Sequence, residues 1–154
     1  MLQDEVDVVL SRAALEHVND LSATFADMYR ALTPGGICIH QVDLKSYGLH
    51  LNNRFDFLTW PPFLWWCMYS YKGYPNRLRV DRYRDEVAKT GLELRRLQPT
   101  ERALLEEVIS IRPYLAQPFR GLSDEDLTWL GFWLICEKPL GTSNTKKNQT
   151  GFIG

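Results

Sequence analysis

The stretch VDVVLSRAALEHVNDLSATFADMYRALTPGGICIHQV, residues 6–42, decides the fold. Val6-Asp7-Val8-Val9-Leu10 holds four apolar residues in five, three of them β-branched, with no alternation. That pattern reads as a strand buried on both faces, as in a parallel sheet. Ser11-Arg12 and then Ala13 to Val18 follow as a loop or short helical turn. Asn19-Asp20 supplies a helix cap, because a short polar side chain can accept from the free amides of the first turn. Leu21, Phe25, Met28 and Leu32 then fall at spacings of 4, 3 and 4, one face of a helix. Thr33-Pro34-Gly35-Gly36 stops it, and Ile37 to Val42 forms a second, largely buried strand. Strand, helix and strand of this size form a βαβ unit, whose two strands must run parallel with a right-handed crossover. Ligands of an open parallel sheet bind at the carboxyl ends of its strands. Here those ends are Ser11-Arg12 and Asp43-Leu44.

The surrounding composition bounds the rest. The chain has 154 residues and 17.9 kDa, the size of one domain, and is 45% hydrophobic and 24% charged. Those proportions exclude a wholly disordered or fibrous chain. A net charge of -1 argues against a nucleic-acid partner bound through bulk positive charge. Cys38, Cys67 and Cys136 are too few and too scattered for a disulfide framework or a metal site, which fits a reduced, cytoplasmic setting. The acidic start MLQDEVDVVL lacks a secretory leader's basic and apolar regions, so the Asn148-Gln149-Thr150 sequon is expected to be chance. The most apolar run, Phe57 to Tyr71, is too short to span a bilayer and contains Pro61-Pro62.

Downstream, Phe55 to Tyr74 carries nine of the nineteen aromatic residues. Asp81 to Thr90 reads as a helix stopped by Gly91, Leu92 to Leu97 as an edge strand, and Thr100 to Ile111 as a helix with Leu104, Leu105 and Val108 on one face. Ser123-Asp124-Glu125-Asp126 is a helix-opening capping box. Gly131 to Glu137 is a last apolar strand, and residues 141–154 form a polar, disordered tail.

The run DVVLSRAALEHV at residues 7–18, followed by RALTPGG at residues 30–36, resembles the class I S-adenosylmethionine-dependent methyltransferases. The order downstream is also similar: an aromatic-rich insertion at residues 55–80, a helix, and two antiparallel strands. The resemblance covers roughly residues 5–139 and implies an α/β fold. That fold is a partial Rossmann-like methyltransferase sheet of about four strands, a parallel βαβ unit plus a C-terminal antiparallel pair, with helices. It implies methyl transfer from S-adenosyl-L-methionine to a small-molecule acceptor. One departure stands out. The family's Gly-rich cofactor loop and its acidic ribose holder have no counterpart here. Residues 1–140 therefore read as the C-terminal portion of a methyltransferase domain, beginning at the family's fourth strand. The strand at Val6 to Leu10 would then be an open edge, inviting self-association.

The resemblance places Ser11 and Arg12 along the cofactor, the alternative being an ordinary strand-end turn. Glu16 and His17 match a family pair, the alternative being capping and packing. His40 with Asp43 suggests a base oriented by a carboxylate near the acceptor, the alternative being a buried, satisfied histidine; His50 sits in a polar loop without a special reading. The aromatic segment, with Trp60, Trp65 and Tyr69, reads as a substrate wall, as packing over the sheet, or as a membrane-surface element, since Trp and Tyr favour interfaces. Arg77, Arg79, Arg82 and Arg84 read as a solvated helix face or as a site for an anionic substrate group or for lipid head groups, with Arg79 taken as substrate-binding. Three functions follow: a methyltransferase, a catalytically inactive remnant or interaction module, and a membrane-surface or lipid-binding protein.

Overall fold

A computed structural model describes residues 3–48, 51–72 and 75–140. His50 and residues 141–154 lie outside the described residues, as does the side chain of Tyr69. The βαβ unit forms as its sequence pattern predicts, except that its helix ends at Ala31 and its second strand already begins at Leu32, so Leu32 and Thr33-Pro34-Gly35-Gly36 belong to that strand rather than to the helix and its stop. Strand β1 (Val6–Arg12) leads through a single 3-10 turn at Leu15–His17 into helix α1 (Leu21–Ala31), and β2 (Leu32–Asp43) returns parallel to β1. Asp20 caps α1 by accepting from the Ala23 amide at 2.9 Å. Leu21, Phe25 and Met28 are buried on its inner face.

Next come α2 (Pro62–Lys72), α3 (Val80–Thr90) and β3 (Glu93–Arg102). The short helices α4 (Leu105–Ile111), α5 (Gln117–Arg120) and α6 (Asp124–Thr128) then lead into β4 (Trp129–Glu137). The sheet order is β1-β2-β4-β3, with β4 antiparallel to both of its neighbours. This is the mixed α/β sheet that the sequence leads one to expect.

Two hydrophobic cores result. One lies between the sheet and helices α1 and α3, and includes Phe25, Cys38, Val42, Tyr83, Val87, Phe132 and Leu134. The other joins the aromatic segment to the residues between β3 and β4, and includes Phe57, Trp65, Val108, Leu115, Phe119 and Leu127. So the buried aromatics of the insertion, Phe55, Phe57 and Trp65, do not pack over the sheet in the first core but with α4–α6 build a separate cap.

Several expectations need correction. β1 is not buried on both faces: Val8 is 45% and Leu10 73% exposed, because β1 is the edge strand and nothing described covers its outer face. Pro62 occupies the first position of α2, where a missing N–H costs nothing. Residues 100–102 extend β3 rather than opening a helix, and Leu104 and Leu105 are exposed while Val108 and Ile111 are buried. Alternation along β2 buries Cys38, His40 and Val42 toward the helices and leaves Ile37, Ile39, Gln41 and Asp43 half-buried on the opposite face. That opposite face of the sheet carries no helix among the described residues.

Phe132 is fully buried and meets the Tyr83 ring edge-on at 5.1 Å. Phe132→Ala is expected to lower unfolding free energy by about 3–5 kcal/mol in urea titration. Leu105→Ala, at an exposed position, should change it by less than about 0.5 kcal/mol.

Candidate functional site

The carboxyl ends of β1 and β2 meet at one end of the sheet. Ser11 and His40 are paired in register, and the Ser11 hydroxyl lies 2.8 Å from His40 Nδ1. His40 is 1% exposed, and among the described residues its Nε2 has no partner. Burial pushes its pKa down to about 4, so the imidazole is neutral near pH 7. Ala13, just beyond β1, takes a positive φ of 50° and donates its amide to Gln41 O at 2.9 Å. A left-handed conformation is costly for a residue with a Cβ; here it turns the chain sharply away at the strand's end.

The Leu-Glu-His turn follows. Glu16 is buried and its Oε1 accepts from the Tyr47 hydroxyl at 2.9 Å. Burial, with the Glu16 carboxylate beside it, pushes the Tyr47 phenol well above its usual range. The His17 ring is exposed and tilted against Tyr47 at 5.5 Å. Asn76 braces the turn from outside, donating its side-chain amide to Leu15 O at 3.1 Å and Val18 O at 3.2 Å. The expected Glu16–His17 pair therefore splits: Glu16 is internal and hydrogen-bonded, and His17 faces outward.

A cleft of about 300 Å³ opens at the same end, lined by Arg12, Ala13, Gln41, Asp43, Lys45, Glu101 and Gly131, among others. Asp43 accepts from the Lys45 amide at 2.9 Å, and Lys45 Nζ lies 3.2 Å from Glu101. Gly131 forms part of the floor. A Cβ there would come within 2.8 Å of Thr100 Oγ1 and 3.0 Å of Val42 O, so any side chain would have to push these neighbours aside.

The structure separates other residues that the sequence suggested together. His40 and Asp43 sit on opposite faces of β2, so Asp43 does not orient the imidazole; Ser11 does. Arg79 is not a free cation for substrate. Its guanidinium is buried and donates to the carbonyls of Leu44 (2.9 Å), Leu127 (3.1 Å) and Trp129. Arg77 likewise donates to Phe57 O and Trp60 O, and stacks over Trp65 at 4.6 Å. Arg82 and Arg84 pair with Glu86 and Asp126. Trp65 is buried, with its indole N–H donating to Pro75 O at 3.2 Å. Trp60, packed edge-on against Trp65, remains partly exposed. The sequence reading missed the Tyr47–Glu16 bond and the Asn76 brace. Tyr47 and Asn76 are distant in sequence from Glu16, and no local pattern marks them.

Residues 2–97, more than half of the chain, match a family model described as a methyltransferase domain. The chain belongs to the methyltransferase-domain family. Its fold agrees with this assignment. An S-adenosylmethionine-dependent methyltransferase from Mesorhizobium loti superposes with a TM-score of 0.52 at 14% identity, over 89% of this chain and 63% of that one. A protein from Listeria monocytogenes assigned to the same activity gives 0.53 at 15%, over 88% and 62%. The [4+2]-cyclase SpnF gives 0.52 at 15%, over 92% and 52%. At such identities the likeness is one of fold. This methyltransferase-family chain spans between about half and two thirds of the length of those proteins. No curated protein matches it.

The residues present do not by themselves fit S-adenosylmethionine. Among the described residues the left-handed glycines are Gly35, Gly48 and Gly91, and none lies between the end of β1 and α1. Ser11 and Arg12 offer one flank of a pocket, and the Ser11 hydroxyl is already engaged by His40. Among the described residues no cluster of three or more His, Cys, Asp or Glu could hold a metal, and no helix is long and apolar enough to cross a membrane.

The depressed His40 pKa ties stability to pH. The unfolded chain takes up the proton near pH 6.5, whereas the folded chain resists until about pH 4. Stability is therefore complete above about pH 6.5 and falls as pH drops toward 4, by at most about 3 kcal/mol. Urea titrations across this window are expected to show the slope, and His40→Gln, which does not titrate, should remove its share.

Proposed function

We propose that this chain is the C-terminal portion of an S-adenosylmethionine-dependent methyltransferase domain acting on a small-molecule acceptor. The observation that carries the reading is the match of residues 2–97 to the methyltransferase family together with the end of β1 exposed to the site. Methyl transfer from a sulfonium is an in-line displacement, so the protein's main task is to align donor and acceptor. In this reading Ser11 and Arg12 line one flank of the cofactor, and the other flank comes from outside residues 3–140. His40 acts as a positioning residue: buried and neutral, it fixes the Ser11 hydroxyl. His17, outward-facing beside Tyr47, is the group placed to meet an acceptor. Asp43, with Arg12 and Lys45, gives the cleft a polar, charged rim. Trp60 offers an aromatic edge at the cap, and Tyr69 belongs to the same helix-bearing segment.

An inactive remnant with the same fold is the rival reading, and the one-sided pocket is the observation that favours it. The membrane-surface reading loses support, since the four arginines that would face lipid are internal or paired.

Titration of the 154-residue chain with S-adenosylhomocysteine, followed by amide NMR shifts, tests the proposal. Binding of about 1 mM or weaker is expected, with shifts concentrated at Ser11, Arg12, Ala13 and His17. Arg12→Ala should weaken it further. Absence of shifts at the end of β1 at saturating solubility would favour the remnant. Micromolar binding would instead show a complete pocket and overturn the one-flank reading.

A further inference from the structure

β2 and β4 are the inner strands of the sheet, each flanked on both sides. Their antiparallel ladder runs without a slip from Ile37 opposite Glu137 to Asp43 opposite Gly131, and it sets Cys38 directly opposite Cys136. The cysteines that look scattered along the sequence therefore include one facing pair. The parity of the ladder fixes its spacing. At one end the Lys138 amide donates to Gly36 O at 2.8 Å, and at the other the Leu44 amide donates to Leu130 O at 2.8 Å. Hydrogen-bonded and non-hydrogen-bonded pairs alternate along such a ladder. Cys38–Cys136, two residues in from Gly36–Lys138, is thus a hydrogen-bonded pair, with Cα atoms about 5.5 Å apart. Opposed residues share a face, and both side chains are fully buried in the core under α1 and α3. Both thiols are free. Among the described residues no group of three or more His, Cys, Asp or Glu could hold a metal, so the pair is not part of a metal centre.

We propose that Cys38 and Cys136 are a redox-sensitive cross-strand pair, which peroxide converts to a disulfide that fastens β2 to β4 inside the core. The Cα separation lies within the range of about 4.4–6.8 Å that disulfides span, so the strands need not part. Hydrogen peroxide oxidises one thiol to a sulfenic acid and releases one water. The other sulfur attacks it, the S–S bond forms, and the expelled hydroxyl leaves with the thiol proton as a second water. Two thiols are oxidised and one peroxide is reduced to two waters. Burial also sets the pace. It pushes the Cys38 thiol up to about 11 and, with Cys38 beside it, Cys136 to about 12. The thiolate is the reactive form, so the pair reacts slowly and withstands brief exposure to oxidant. Cys67, in α2, is only half-buried and stands apart from the pair. The device depends neither on methyl transfer nor on what lies beyond β1.

The folded chain, incubated with hydrogen peroxide at neutral pH and digested without reduction, should yield one cross-linked peptide pair joining Cys38 to Cys136, with Cys67 outside it. The same pair should form in Cys67→Ser. A chain oxidised while unfolded in urea should instead spread over all three pairings of its cysteines. The oxidised folded chain should keep its far-ultraviolet circular dichroism and unfold at a higher urea concentration than the reduced one, a shift that dithiothreitol reverses. Thiols at Cys38 and Cys136 that stay reduced, or that pass to sulfinic acid without a cross-link, overturn the proposal. So do pairs containing Cys67 in the folded chain. A cross-link that lowers the urea midpoint or alters the circular dichroism overturns it as well, because the strands must then part to form the bond.

Discussion

A buried guanidinium holds the two halves of this molecule together. Arg79 sits at the start of α3, wholly enclosed, and its donors reach the chain just past β2, at the end of α6 and at the head of β4. All three partners are neutral carbonyls. Burial lowers its pKa only to about 10, so it stays charged. Desolvating a cation is costly, and charge-assisted bonds to carbonyls that would otherwise be orphaned offset that cost. The carbonyl of Leu44 belongs to the edge of the first core, and Leu127 to the second. The cap therefore has a fixed position relative to the sheet because one side chain bonds to both. The cleft at the carboxyl ends inherits its shape from that tie, since Leu130 and Gly131 follow directly on the bonded residues.

The parts legible in the sequence were those whose cause is local. The α1 helix follows from a cap and a 3.6-residue period, each within a few residues of the other, while the Pro-Gly-Gly run after it proved to be part of β2. β2 and β4 follow from apolar runs in the sheet's centre. β1 shows the limit of that reasoning. A run such as Val6 to Leu10 records that its residues are apolar, and burial depends on what lies above them, which no local pattern contains. The boundary at Thr100 failed for a related reason. Pro99 suggests the end of a strand, yet at a sheet edge a missing N–H is tolerated, and β3 runs on to Arg102.

At the site, one error was avoidable and two were not. Residues three apart on a strand point to opposite faces, so His40 and Asp43 could be separated by counting alone. Arg79 reads as a surface residue because arginine almost always is one. Its burial depends on three carbonyls brought together only by the tertiary fold. The Asn76 brace on the Leu-Glu-His turn is similarly remote in sequence. Ser11 and Arg12 were legible because a parallel sheet's geometry nominates its own strand ends, whatever chemistry those ends serve.

Gly131 gives the cleft floor a peculiar status. Its usefulness lies in atoms that it does not have: the space a methyl group would take is already filled by Thr100 and Val42. Any side chain at position 131 must therefore displace the Thr100 hydroxyl or the Val42 carbonyl. The charged rim around it has no such restriction. The depth of this cleft is thus set by backbone and a missing side chain, whereas its rim is set by side chains that can be exchanged.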